Sequence, residues 1–395
     1  MRYKIIFFLI LGLDGLNLFF QSSEISISYR ETIILYGDIS PLQILIKISM
    51  YIFGHNDFAL RLPMILTHLL SAVLLFNISK DYLNAKNNLW LLVIFILLPG
   101  VLSSALLLDE AGLIIFGLLL FIWMYTNDYK VSYYLLLVSF IFLDNIFIYL
   151  FLSLNIYAWY KQNKELFVTT GISFVLSIFS FGLDIHGQPT GHFLDALGLY
   201  AAIFSPIIFL YIVFVIYRRY LSKDMDIIWF VTAIPFVISL ILSFRQVISI
   251  EHFAPYLIVS LPLAAQTFVS SYRVRLKIFR QRYKLMFVLS FIFLVINSLG
   301  VLFNKDLYRF LNHPAKHFVY KFHIAKELSD VLKQKSINCV TTDFKMQQRL
   351  KFYGVTKCDN NLLTLNKIDK DKSDSVTISY RNQPVFSAYV TKINN

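Results

Sequence analysis

Residues 88–125 read NLWLLVIFILLPGVLSSALLLDEAGLIIFGLLLFIWMY. Two apolar runs, 88–108 and 111–125, meet at Asp109 and Glu110, and no other charged side chain stands in either. An apolar helix of roughly 18–22 residues spans a ~30 Å hydrocarbon layer. The acidic pair therefore marks a turn between two membrane spans. Its chemistry depends on which side of the membrane that turn faces, and on what else faces the same side.

The same pattern repeats as far as residue 303. The 395-residue chain is 57% hydrophobic and 15% charged, with a mean hydropathy of +0.64. A water-soluble domain could not cover that much apolar surface with so few charges. The fold class expected is an all-α polytopic membrane protein. Spans are placed at 4–20, 59–78, 88–107, 110–126, 132–144, 146–160, 166–184, 197–217, 226–243, 252–271 and 285–303, about 11 in all. The first run, IIFFLILGLDGLNLFF (5–20), has no small-residue cleavage motif after it and reads as a retained span rather than a signal peptide. The stretch 132–160 is long for one span and short for two. It reads as a hairpin turning at Asp144-Asn145, because Lys130 and Lys161 flank it.

The net charge of +12 first suggests a nucleic-acid binder. Its location removes that class. One set of alternate connections holds Arg2, Lys4, Lys80, Lys86, Lys130, Lys161, Lys164, Arg218, Arg219, Lys223, Arg273, Arg275, Lys277, Arg280, Arg282 and Lys284. The other includes Arg30 and Arg245, with Arg61 at a span edge. Short cytoplasmic loops collect Lys and Arg, so the first set and the N-terminus are cytoplasmic. Loops 21–58, 108–110, 185–196 and 244–251 and everything after 303 are then exoplasmic. The stretch 272–284 (YRVRLKIFRQRYK) is basic enough to meet anionic headgroups, although a plain positive-inside anchor explains it more simply.

The division expected is a transmembrane domain, 1–303, with a long exoplasmic first loop, 21–58, and a small soluble α/β domain, 304–395. In that domain 322–335 has helical periodicity, while INCVTT (337–342), SVTISY (375–380) and VFSAYV (385–390) read as strands. Cys339 and Cys358 both fall there; a disulfide and two free thiols are equally consistent with the sequence.

The exoplasmic face gathers the chemistry. The first loop is too long for a connector and too apolar for disorder. It brings Glu24, Arg30, Glu31, Asp38, His55, Asp57 and Arg61. Loop 184–195 adds Asp184, His186, His192 and Asp195, and loop 244–252 adds Arg245, Glu251 and His252. Charges at membrane depth are costly and usually mark function. A carboxylate there suits general-base work, and an arginine suits bidentate capture of a phosphate. Together they point to a reaction on a phosphate-bearing lipid. Structural roles compete: Asp57 and Asp109 as helix caps, Asp144 and Asn145 as turn residues, Arg61 snorkelling, His252 as an interfacial or capping histidine. His186 and His192 lack a third partner at metal-ligand spacing, so no metal or other cofactor is expected.

The order of these pieces resembles the GT-C-fold glycosyltransferases, closest to the glycosyltransferase 39 type that holds bacterial aminoarabinose transferases and protein O-mannosyltransferases. The likeness is carried by Gly37-Asp38, Pro41-Leu42, FGHNDFALRLP (53–63), Leu98-Pro99, a carboxylate at the next exoplasmic turn, and Arg245 followed by HFAPYLIVSLPLA (252–264). It covers the N-terminal third well and the remainder mainly by topology.

The resemblance implies an inverting transfer of a sugar from a polyprenyl-phosphate donor to a lipid, glycan or protein acceptor, among membrane lipids, outside a bacterial inner membrane. It places the second acidic motif on Asp109. The family's first-loop Asp-Glu pair is missing: the stretch reads SSEISISYRET, the nearest acids are Glu24 and Glu31, and Glu31, beside Arg30, is preferred. The candidate set is therefore Glu31 and Asp109 as catalytic, with Arg30, Arg61, Glu110, His186, Arg245 and His252 binding substrate. The missing pair also fits a degenerate, non-catalytic protein of envelope glycan assembly. A lipid or polysaccharide transporter is a further alternative, although no internal repeat is present.

Overall fold

The computed structural model describes residues 2–182, 191–310, 313–317, 319–365, 373–381 and 383–392. Among them, four helices are long and apolar enough to cross a membrane: Arg2–Glu24, Asp57–Asp81, Lys164–Phe181 and Lys277–Leu302. Four shorter apolar helices, Glu110–Thr126, Lys130–Leu143, Phe147–Tyr160 and Ile227–Ser243, accompany them.

Four further apolar segments are bent pairs. Tyr29–Tyr36 meets Pro41–Phe53 at 89°, and Ala85–Leu97 meets Pro99–Leu106 at 60°. Phe193–Phe204 meets Pro206–Ser222 at 106°, and Ile250–Ile258 meets Leu261–Val274 at 44°. Every second member begins with a proline at its first or second position: Pro41, Pro99, Pro206 and Pro262. Proline lacks an N–H and disfavours helical geometry in the residue before it, yet suits the first turn of a new helix. The runs 88–107, 197–217 and 252–271, read from sequence as single spans, are each broken in this way.

The chain divides into two compact units: Met1–Leu16 with Met64–Ser298, and Asn17–Pro63 with Leu299–Asn395. The first is an all-helical bundle. Its hairpin at 132–160 is two helices turning at Asp144, as the flanking lysines indicate. Phe140 and Phe147 stack across that turn with ring centroids 4.0 Å apart. Gly112 lets the Glu110–Thr126 helix approach its neighbour, because a Cβ there would lie 3.1 Å from the Ser104 carbonyl oxygen and 2.6 Å from Met64 Cε.

The second unit joins the first-loop helices to the C-terminal segment. Lys47, in Pro41–Phe53, is a further first-loop cation and donates to Gln43. An antiparallel sheet runs in the order β1 (Asn361–Thr364), β3 (Gln383–Lys392), β2 (Ser373–Tyr380). Helix Ala325–Gln334 packs on it, with Leu328 and Leu332 fully buried. The strands expected from SVTISY and VFSAYV form β2 and β3. INCVTT does not form a full strand. It makes isolated bridges, Cys339 to Thr356 and Thr341 to Leu362, and NLLT takes the sheet position. Local ties hold INCVTT instead: Cys339 and Cys358 are disulfide-bonded, and Asn361 donates to the Cys339 carbonyl.

His323 sits in this unit's core, its Nδ1 2.9 Å from the Tyr308 hydroxyl. Burial, then the positive charge of Lys305, pushes its pKa down from 6.5 to about 3. Between those values the unfolded chain binds a proton that the folded imidazole refuses, so stability rises with pH across that window. Glu327 has the same sign at lower pH. Burial alone would raise its carboxyl, but Lys305 and hydrogen bonds outweigh this and hold it below its usual 4.5. Melts of the full chain at pH 6.5 and 4.5 should therefore show the 304–395 segment less stable at 4.5. His323→Gln should flatten that slope, whatever it does to the absolute melting point.

Candidate functional site

The candidate residues fall into two clusters of charge, one in each unit. In the second unit, Ser28-Tyr29-Arg30-Glu31 starts the helix Tyr29–Tyr36 as a capping box. The Glu31 N–H donates to Ser28 Oγ at 3.2 Å, and the Ser28 N–H donates to Glu31 Oε2 at 2.7 Å. The same carboxylate oxygen lies 3.6 Å from Arg61 Nη2. Arg61 Nη1 is 3.5 Å from Asp57 Oδ1. The guanidinium also donates to the carbonyls of Ser22, Ser26 and Asp57. Asp57 in turn accepts from the Tyr353 hydroxyl at 2.8 Å and lies 3.1 Å from Lys326 Nζ.

Two carboxylates thus face two cations, and Glu31 and Arg61 are 1% and 0% exposed. Arg349 adds a donor to the Ile27 carbonyl at 2.7 Å, tying the first loop to the helix Phe344–Phe352. Arg30, by contrast, is exposed. The arrangement is a closed electrostatic clamp ordering the first loop. Breaking such a buried network from one side leaves uncompensated charge. Arg61→Ala should destabilise the full chain by about 3–5 kcal/mol in a detergent melt, and Glu31→Gln by less, because Gln keeps the capping geometry.

The first unit assembles acids from three elements. Asp109 is the N-cap of Glu110–Thr126, its side chain accepting from the Ala111 N–H at 3.5 Å. Glu110, in the helix's first turn, has a side chain 43% exposed and lies 3.5 Å from His252 Nε2. Two neighbours of opposite character therefore surround it. His252 comes from the helix Ile250–Ile258, which packs on the Glu110 helix. Asp144 comes from the turn between Lys130–Leu143 and Phe147–Tyr160. Tyr256 holds that turn by donating to the Ile146 carbonyl at 2.8 Å, and the Ile146 N–H donates to Asp144 at 3.0 Å. Burial, then the Glu110 carboxylate beside it, pushes the Asp144 pKa from 3.8 up to about 6. Two adjacent carboxylates, one of them holding its proton up to about pH 6, are arranged as an acid–base pair.

The sequence reading found Asp109, Glu110 and His252, and the structure brings Glu110 and His252 together. It assigned Asp144 to the turn. The signal that it also faces Glu110 was loop parity, which puts both turns on one side of the membrane. Glu31, Arg30 and Arg61 belong to the second unit, while Asp109 and Arg245 belong to the first. Arg245 is exposed in the turn before Ile250–Ile258. His192 caps the helix Phe193–Phe204 and lies 3.5 Å from Asp195. His186 lies outside the described residues. Among the described residues, no group of three His, Cys, Asp or Glu side chains is placed to hold a metal ion.

One polar pair escaped the sequence reading. Asp14 and His68 are buried 2.8 Å apart on two helices, with His68 stacked on Phe95. Each is an ionisable residue within an apolar span, which is the signal that should have flagged them.

No protein-family model matches the chain, and no curated protein matches it. Among solved structures, ArnT from Cupriavidus metallidurans in the apo state aligns over 99% of this chain and 98% of its own, with a TM-score of 0.57 and 11% sequence identity. The chain has the GT-C fold. It is an integral membrane protein of that fold, and the small C-terminal sheet belongs to the same alignment. At this identity the GT-C likeness carries the backbone plan. The residues that act must be argued from their own geometry.

The Asp144 carboxyl should titrate near pH 6, followed by the carbonyl band of the protonated acid in infrared difference spectra. Glu110→Gln should lower that midpoint and leave a residual elevation from burial. An unchanged midpoint would uncouple the two acids.

Proposed function

We propose that this protein is a membrane glycosyltransferase that moves a sugar from a polyprenyl-phosphate donor to an acceptor on the exoplasmic face. The observation that carries the reading is the cluster Glu110–Asp144–His252 beside Asp109, built on a GT-C backbone. The acceptor hydroxyl or amine attacks the anomeric carbon as the bond from that carbon to the phosphate oxygen breaks. The electron pair leaves with the polyprenyl phosphate. Glu110, the accessible carboxylate, takes the acceptor's proton. In its protonated form, populated below about pH 6, Asp144 donates a hydrogen bond that orients Glu110. His252 and Arg245 neutralise the departing phosphate.

This assignment moves the base from Glu31, where the resemblance put it, to the Asp109–Glu110 turn. Glu31 is committed to Arg61 and to its own capping box. That commitment also favours a second reading, a non-catalytic envelope-assembly protein that keeps the fold and has lost the first-loop base. The positive-inside asymmetry and the Cys339–Cys358 disulfide support an exoplasmic C-terminal segment in an inner membrane, since disulfides persist on the oxidising side.

The test is transfer of label from a mixed pool of radiolabelled polyprenyl-phosphate sugars in membranes. Wild type should transfer. Glu110→Gln should lose about 10²-fold or more, the worth of a general base. Glu31→Gln should lose activity only in step with its loss of folded protein. Transfer that survives Glu110→Gln would sink the base assignment. No transfer by wild type from any donor would favour the assembly protein.

A further inference from the structure

The basic stretch 272–284 borders a cavity that the transfer chemistry does not use. The cavity, of about 550 Å³, lies in the first unit between helices Ala85–Leu97, Pro206–Ser222, Leu261–Val274 and Lys277–Leu302. Trp90, Phe268 and Phe291 are among the apolar side chains that line it. Lys86, Arg273 and Lys284 line its mouth, and among the described residues no carboxylate lines it. All three cations are exposed. Among the described residues none of them pairs with an acid.

Their neighbours are committed elsewhere. Arg275 sits over the Tyr283 ring at 4.2 Å, and Arg280 donates to the Arg273 and Arg275 carbonyls. A general basic anchor needs no such division between held and free cations.

The dimensions suggest what the cavity takes. From Lys284 to Leu294 the wall runs ten residues along one helix, about 15 Å at the α-helical rise. That is half of a ~30 Å hydrocarbon core, the depth of one leaflet. The volume lies in the range of ligand pockets. An apolar slot one leaflet deep, with three unpaired cations at its headgroup end, complements an anionic lipid. Arginine can grip a phosphate through two N–H groups, and lysine adds point charge.

We propose that this groove binds one anionic glycerophospholipid, its acyl chain between Trp90, Phe268 and Phe291 and its phosphate among Lys86, Arg273 and Lys284. The site is independent of the transfer reaction and holds whether or not the chain is an enzyme.

The test is native mass spectrometry of the full chain released from vesicles of equal phosphatidylglycerol and phosphatidylcholine. Wild type should retain phosphatidylglycerol in preference. Lys86→Gln/Arg273→Gln/Lys284→Gln should lower that retention by about tenfold or more, since three headgroup-facing cations are removed. Lys164→Gln/Lys277→Gln/Arg282→Gln removes the same charge outside the groove and should leave retention unchanged. Ala265→Trp, which fills the groove without touching a charge, should also lower it. Equal loss in the two triple variants would reduce the effect to diffuse positive charge and overturn the site. Retention that survives both the groove triple variant and Ala265→Trp would overturn it as well. Displacement of phosphatidylglycerol by polyprenyl phosphate would overturn the assignment to a phospholipid.

Discussion

Inside a hydrocarbon layer a backbone amide has no water to bond, so the chain must satisfy its N–H and C=O groups within helices. Every change of direction at depth is therefore expensive unless the residue at the break has little to lose. This chain places proline there. Pro99, Pro206 and Pro262 each open the second member of a bent pair within an apolar run, and Pro41 does the same in the first loop. The missing N–H costs nothing at a helix start, where the first donors have no intrahelical partner anyway. The bends shorten the spans and bring helix termini, with their caps and charges, into the bundle. Asp109 and Glu110 owe their position to this: the break at Leu98-Pro99 precedes the short helix Pro99–Leu106 that delivers them.

The same solvent forces a choice on each buried carboxylate. Keeping it charged demands a partner, and removing the charge demands a proton. The two clusters choose differently. Glu31 and Asp57 are balanced by Arg61 and Lys326, with Ser28, Tyr353 and backbone donors completing the shell. That solution spends all the bonding capacity on structure. Asp144 accepts from the Ile146 N–H, and burial with the carboxylate beside it opposes ionisation, so it holds its proton up to about pH 6. A balanced clamp orders a loop; a shared proton is available for chemistry. This contrast, more than the spacing of acids along the chain, separates a scaffold carboxylate from a reactive one.

The legibility of the chain follows the range of the forces involved. Hydropathy acts on whole segments, so the polytopic helical class was readable from 88–125 alone, and the hairpin at 132–160 was readable from Lys130 and Lys161. Proline bends were visible as residues but not as angles, because their size depends on what packs behind them. INCVTT looked like a strand by β-branching, yet the disulfide and the Asn361 side chain hold it in isolated bridges. Asp144 was hidden by its role as a turn residue, since local chemistry explained it fully. Arg61 reads from sequence as a substrate-binding or span-edge residue, and nothing in ALRLP announces two carboxylate partners.

Identity of 11% over nearly the whole of both chains, with a common backbone plan, is what such forces predict. A membrane bundle is specified by the pattern of apolar runs, breaks and basic loops, which many residue choices satisfy. A reactive centre is specified by individual side chains. Fold therefore outlasts site, and a site can move along a conserved backbone if the new position offers an accessible carboxylate near one that holds a proton. In the first loop, Glu31 is committed to Arg61 and to its own capping box. Glu110 is the more accessible carboxylate of its pair with Asp144, and its turn follows the proline break at Leu98-Pro99.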